Sequence, residues 1–209
     1  MAASERLAVS DPVARRGPRT QAERRAETRT ALLEATIECL AAYGYAGTTT
    51  GRVAELAGVS RGAQIHYFRT RADLVAAAMT HLAHKRAEAV RSRLADGPVG
   101  LEAALDILWE QHQGSGFATT LELWVASRTD AELRKRMHEV EREVLVEIAQ
   151  QAEVALGELA RHPEFFDGLV FAMATIRGLA LLQVSNGGTN AQLEDLWKRT
   201  RARLVLALG

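Results

Sequence analysis

The stretch "AELAGVSRGAQIHYF", residues 54–68, decides the fold because it supports two incompatible readings. Its centre, Gly58-Val59-Ser60-Arg61-Gly62, fits G-x-S-x-G, the turn that carries a hydrolase's nucleophilic serine. The same letters also read as helix, tight turn, helix. A nucleophile elbow needs a buried strand before its serine, yet the preceding "GRVAELA" favours helix and lacks the branched apolar run of a central strand. Three fixed positions in five also arise often by accident. Two short helices crossing steeply need a small residue at the approach, a glycine able to take positive φ, and apolar residues along the seam. Ala54, Gly58 and the set Val53, Leu56, Val59 and Phe68 supply these. The stretch therefore reads as a helix-turn-helix and the chain as a non-enzyme, with a serine hydrolase using Gly58, Ser60 and Gly62 kept as an alternative.

Working outward, helical patterns fill the chain on both sides. Leu32, Leu33, Ile37, Leu40 and Ala41 follow helical spacing up to Gly44, which stands where a C-terminal cap belongs. The threonines 48–50 offer N-cap hydroxyls to a short helix over 51–57, and Gly58 ends it. Ser60 caps the next helix, and Thr70 with Asp73 forms a capping signal for a long fourth helix running into Ala95. After "DGPVG" (96–100), helical segments are predicted over 101–112, 117–127, 131–159, 164–184 and 191–208, parted by Gly114-Ser115-Gly116, His162-Pro163 and Asn186-Gly187-Gly188. No alternating strand pattern with hairpin turns interrupts them, so the expected class is all-α.

Charge is distributed unevenly. The 209 residues carry 26 basic and 26 acidic side chains, but residues 15–71 hold ten Arg, no Lys and five Glu, a local net of +5. That excess supplies the phosphate attraction on which DNA binding depends. Residues 1–20, with Pro12, Gly17, Pro18 and clustered Arg, read as a flexible basic arm in which Arg15, Arg16 and Arg19 either enter a minor groove or form a solvated tail. Cys39, the only cysteine, sits in a helical pattern as a buried thiol and permits no internal disulfide. The N-terminus lacks a secretory h-region and no run reaches ~18 uninterrupted apolar residues, so a cytoplasmic protein without a membrane span is expected. His81 and His84, one turn apart, could ligate metal only with a third partner that the sequence does not supply; solvated or packed histidines and no cofactor are expected.

Residues 32–79, "LLEATIECLAAYGYAGTTTGRVAELAGVSRGAQIHYFRTRADLVAAAM", resemble without a gap the N-terminal domain of the tetracycline-repressor (TetR) family of bacterial transcriptional regulators. The combination Ala-Gly-Val-Ser-x-Gly, an aromatic-Phe pair and a long capped helix carries the resemblance, and "TLELWVASRTDAELR" (120–134) looks like a segment of many ligand domains in that family. It implies a three-helix DNA-binding domain over 21–70 and a helical regulatory, ligand-binding and dimerisation domain over 71–209. Its implied function is a ligand-responsive regulator, a repressor by family default. It would bind a roughly palindromic double-stranded operator as a homodimer and be released by a small, largely apolar effector. An effector-independent architectural DNA-binding protein is the other alternative.

At ~100° per residue, Gly62, Ala63, His66 and Tyr67 share one side of the recognition helix and Gln64 and Phe68 the other. The first set is expected to face the major groove. Arg61 reaches a guanine edge or a phosphate, His66 and Tyr67 bond base edges or phosphate, and Ala63 packs on a thymine methyl. Thr49, Thr50 and Arg52, with the cap residue Ser60, suit phosphate, while Arg71 matches a frequent backbone contact of the family. Gln64 and Ile65 depart from the family's usual leucine and tyrosine; either they fill the seam or the helix is rotated so that Gln64 reaches DNA.

The apolar faces after Asp96 exceed what a DNA-binding head needs, so they must bury each other, a second subunit or a ligand. The resemblance implies that the last two helices, "FFDGLVFAMATIRGLALLQV" and "LEDLWKRTRARLVLAL", pair with their copies in a two-fold dimer. It also implies a pocket among helices four to eight whose occupant shifts the fourth helix. Trp109, His112, Phe117, Trp124, Arg128, Phe171, Met173 and Arg177 are the candidate lining.

Overall fold

The computed structural model describes residues 20–186 and 190–209. Most of the expected basic arm, including Arg15, Arg16 and Arg19, and the Gly187-Gly188 breaker lie outside these residues. Every regular element among the described residues is helical.

Helix α1, Gln21–Gly47, opens on a capping box: the Thr20 hydroxyl accepts from the Glu23 amide at 3.2 Å, and the Glu23 carboxylate accepts from the Thr20 amide at 2.7 Å. Thr20, the last residue of the expected arm, is thus part of the helix start. Leu32, Leu33, Cys39 and Leu40 form the buried face, and burial pushes the Cys39 thiol above its ordinary value, as expected of an inert core thiol. Gly44, at φ 63°, breaks the helix where a cap is expected, and one further helical turn follows beyond the kink to Gly47.

α2 (Thr50–Leu56) and α3 (Arg61–Tyr67) follow, joined at Gly58 with φ 67°, a conformation an L side chain resists. The Val59 amide donates to the Ala54 carbonyl at 3.0 Å and closes the turn. Val53 and Phe68 seal the seam against Leu32, Leu33, Leu74 and Ala78. Leu56, expected there, is instead about half exposed.

α4, Arg71–Arg93, starts at the Thr70 cap, whose hydroxyl accepts from the Asp73 amide at 3.0 Å. It has two buried faces. Leu74 and Ala78 belong to the N-terminal core, while Val75 and Met79 join Leu123, Leu133, Met137 and Val140 in a second one. The remaining elements are α5 (Leu101–Glu110), α6 (Ser115–Ser127), α7 (Ala131–Leu156), a 3₁₀ turn (Gly157–Arg161), α8 (Phe165–Asn186) and α9 (Asn190–Leu208). The helix expected over 131–159 breaks early because Gly157 takes φ 57°. Leu105, Trp109, Phe117, Ile176, Leu179, Trp197 and Leu204 form a third core between α5, α6, α8 and α9. Within it the Trp197 indole donates to Asp106 at 2.7 Å, and Arg201 pairs with the same carboxylate.

α8 is long and apolar enough to cross a membrane by length and composition. Here one side packs in the third core, and the other leaves Val170, Phe171, Leu181 and Leu182 uncovered in the single chain.

Candidate DNA interface and ligand cavity

Both helices of the reading unit start on a hydroxyl cap. Thr49 accepts from the Arg52 amide and Ser60 from the Ala63 amide, each at 3.2 Å. Ser60 therefore follows a helix and a glycine turn rather than a strand, and its oxygen is engaged in capping. Ser60→Ala is expected to cost about 1 kcal/mol in a denaturant titration through loss of that cap.

The exposed surface of α3 consists of Arg61, Gly62, Ile65 and His66, with Ala63 and Tyr67 partly covered. His66 and Tyr67 meet edge to face at 5.7 Å between ring centres. Arg61 lies across the start of α2, where a Cβ on Gly51 would meet its Nη2 at 2.9 Å, so the glycine leaves room for the guanidinium. Arg52 is exposed, sits 4.4 Å from the Tyr43 ring centre and bonds the Gly47 carbonyl. Thr49 is exposed and Thr50 half-buried beside it.

Gln64 is a correction. Its side chain is 2% exposed and its amide donates to the Phe68 carbonyl at 3.0 Å, so it locks the end of α3 from inside and presents nothing to a groove. Ile65 is the exposed neighbour, 59% accessible, and shares a face with Arg61 four residues earlier. That spacing was legible in the sequence, but choosing between a buried amide and a buried isoleucine required the acceptor at Phe68.

Arg71 is half-buried where the N-terminal helices meet α6 and α7. Its guanidinium lies 3.7 Å from the ring centre of Tyr45, whose hydroxyl donates to Asp130 at 2.7 Å. The Leu133 amide and the Tyr45 hydroxyl hold the Asp130 carboxyl below its ordinary range, as befits the N-cap of α7. The Tyr45 amide bonds Glu122 of α6, which sits so close to Gly44 that a Cβ there would meet Oε1 at 2.3 Å. Sequence reasoning missed this junction, because its partners are 77 and 85 residues apart.

A cavity of about 210 Å³ opens among α4–α8, with mostly apolar walls. Five of the eight candidates line it: His112, Phe117, Trp124, Met173 and Arg177. Three are placed elsewhere. Trp109 stacks on Trp197 at 5.0 Å inside the third core, Arg128 is exposed at the end of α6, and Phe171 is 56% exposed on the open side of α8. Arg86, Thr120, Glu141 and Gln151 also line the cavity and were missed. His81, by contrast, is spent on Glu34, whose Oε1 lies 2.8 Å from both His81 Nε2 and Lys85 Nζ.

The His112 Nδ1–H donates to the Leu108 carbonyl at 2.8 Å, which fixes the tautomer and leaves Nε2 as an acceptor. Burial pushes its pKa down to about 4, and the Arg177 and Arg86 charges act in the same direction. With a folded pKa depressed below the unfolded 6.5, its contribution is intact above pH 6.5 and is lost as pH falls toward 4. The full loss amounts to roughly 3 kcal/mol. Urea midpoints are therefore expected to drop more steeply between pH 7 and 4.5 in the wild type than in His112→Gln.

A basic helix-turn-helix mounted on a hollow helical bundle defines a class: DNA-binding transcriptional regulators with a separate sensing half. Known proteins place the chain within that class. Residues 32–78 match the family model described as bacterial regulatory proteins, tetR family. Over 190 residues the chain is 34% identical to the HTH-type transcriptional regulator CymR of Pseudomonas putida, covering 88% of this chain and 87% of the relative. Among solved structures, a TetR-family regulator from Rhodococcus sp. superposes with a TM-score of 0.70 at 24% identity, over 88% of this chain and 100% of the other. The multidrug binding protein EbrR, crystallised with imidazole, gives 0.60 at 22% identity, over 84% and 93%. The chain belongs to the TetR family of bacterial regulatory proteins. It is a DNA-binding transcriptional regulator and not an enzyme, and its Gly58-Ser60-Gly62 pattern is the turn of the DNA-reading unit.

Proposed function

We propose that two copies of the chain bind a roughly palindromic operator as a repressor and release it when a small molecule fills the cavity. Residues 21–70 form the DNA-binding unit and 71–209 the regulatory one. Arg61, Gly62, Ala63, His66 and Tyr67 meet the groove, while Thr49, Thr50, Arg52, Ser60 and Arg71 hold phosphates. The open sides of α8 and α9 pair across the two-fold axis, which would cover Val170, Phe171, Leu181 and Leu182, and Leu206 at 85% exposure. The protein then works in the cytoplasm, where the DNA is.

One observation carries the sensor reading. α4 abuts α3 at its Thr70 cap and supplies cavity wall from Met79 to Leu94, so one rigid element of roughly 34 Å spans both sites. Its N-terminal half packs on the reading unit and its other face on α7, through Asp73–Arg136 at 2.7 Å and Gln151 to the Ala87 carbonyl at 3.0 Å. A ligand that wedges α4 from α7 would turn the start of α4 and change the spacing of two recognition helices. That is a coupling free energy, reciprocal between the sites. An architectural bundle has no use for the hollow. EbrR, one of the structural neighbours, is a multidrug binding protein crystallised with imidazole, proflavin and ethidium, which supports a small-molecule role for the same fold here.

The test is a metabolite panel read first by melting temperature and then by operator affinity. Molecules that raise the melting temperature are expected to weaken operator binding by about 5- to 150-fold. Binders that leave operator affinity unchanged would return the protein to the architectural reading.

A further inference from the structure

Among the polar groups on the mostly apolar cavity walls, three form one chemically uniform set. Trp124 Nε1 and Arg177 Nε are buried with no hydrogen-bond partner among the described residues. Arg86 sits against Gly116, where a Cβ would meet its Nη2 at 1.8 Å, and no described acceptor or carboxylate pairs with it. All three are donors, and two carry a positive charge. Arg177 lies 4.8 Å over the Trp124 ring, so the three groups come from α4, α6 and α8 around one space.

Buried polar groups are normally satisfied, and a buried guanidinium without a carboxylate is costly to hold. Burial pushes both arginines below their ordinary value. The cavity's carboxylates leave the balance positive. Glu147 is bonded by Arg91 and Gln151, Glu143 is exposed and accepts from Thr80, and Glu141 acts on Arg177 only from a distance. Glu143 keeps its charge but holds it at the exposed rim, so among the described wall carboxylates only Glu141 is both partly buried and outside an ion pair, against two guanidiniums. His112, uncharged at neutral pH, adds nothing to that sum.

We infer that the effector is an amphipathic monoanion, an apolar body ending in a carboxylate or similar oxyanion held by Arg86 and Arg177 with the Trp124 indole N–H. The apolar part lies along Met137, Val144, Ile148 and Phe117. This rests on the effector-release reading above and narrows it. It also accounts for two guanidiniums without a described counterion inside a helical bundle: an anion completes the site and supplies binding energy that is absent when a neutral molecule enters.

The experiment uses three probes with one body and different heads: 4-phenylbutyrate, 4-phenylbutanol and 4-phenylbutylamine. Each is titrated into the full-length protein by calorimetry and by Trp fluorescence, in the wild type, Arg86→Met and Arg177→Met. The butyrate is expected to bind about tenfold or more tighter than the alcohol, from one charge-assisted contact. Either substitution should collapse that preference to about twofold while leaving alcohol affinity unchanged. Removing a partly buried charge without a described counterion should also keep or raise the melting temperature measured without probe, most clearly in Arg86→Met, whereas an arginine with a structural role would lower it. Should either variant be recovered unfolded, Gly116→Ala, which displaces the Arg86 guanidinium without removing it, carries the same expectation for the head-group preference. Equal binding of acid and alcohol overturns the anion while leaving the sensor intact. Tightest binding by the amine overturns it in favour of Glu141. Failure of all three probes to bind at millimolar concentration overturns the anion site, while the sensor reading stands or falls with the metabolite panel.

Discussion

Phe171→Asp with Leu181→Asp is expected to yield a folded monomer that has lost operator binding by about 100- to 10,000-fold. Both side chains are about half exposed in the single chain, at 56% and 43%, and neither belongs to a core cluster among the described residues, so charging them leaves the cores intact. In the proposed dimer the same positions are buried against their copies, and four carboxylates across a two-fold axis would repel one another in an apolar seam. Two linked heads bind a palindrome far more tightly than one, because the second contact is intramolecular. Sedimentation and operator anisotropy on the same sample check the two halves of the expectation. A variant that stays dimeric with full affinity would move the interface elsewhere.

Arg61→Ala is expected to weaken the preferred operator by about 1–3 kcal/mol and to relax preference at one base position in each half-site. Its guanidinium is exposed at the first turn of α3, braced over Gly51 rather than tied to a carboxylate. Arg52→Ala should instead weaken all sequences alike and reduce the salt slope by about one. Arg52 is held at the start of α2 by the Tyr43 ring and the Gly47 carbonyl, a geometry suited to a backbone phosphate. If the two variants behave alike, the division between reading and positioning residues is wrong.

The first four helices were legible because their signals are local. Caps at Thr49, Ser60 and Thr70 and the glycine at 58 act within four residues, and each is found where its spacing puts it. Gly44 shows the limit: positive φ was foreseeable, but the extra turn depends on Glu122 receiving the Tyr45 amide. Helical periodicity does not orient α8, which is apolar almost all round, so the sequence alone cannot tell that Phe171 faces outward rather than into the cavity. Trp109 reads the same way in the sequence, because nothing near it announces Trp197, 88 residues on, as its stacking partner. Arg86 is hidden from the sequence for the opposite reason. In a helix bearing Lys85, Arg91 and Arg93 it looks like one more solvated cation, and only the closing of α6 at Gly116 takes it out of water.

The central claim, that paired α3 helices read DNA as a two-fold dimer, is tested most directly by selecting bound duplexes from a randomised library at fixed salt. The account predicts an inverted repeat whose half-site centres lie one helical turn, ~34–36 Å, or a multiple of it apart. It further predicts that Arg61→Ala selects a repeat of the same spacing with one position in each half-site relaxed. Enrichment of a single unrepeated site, or no sequence enrichment at all, would contradict it.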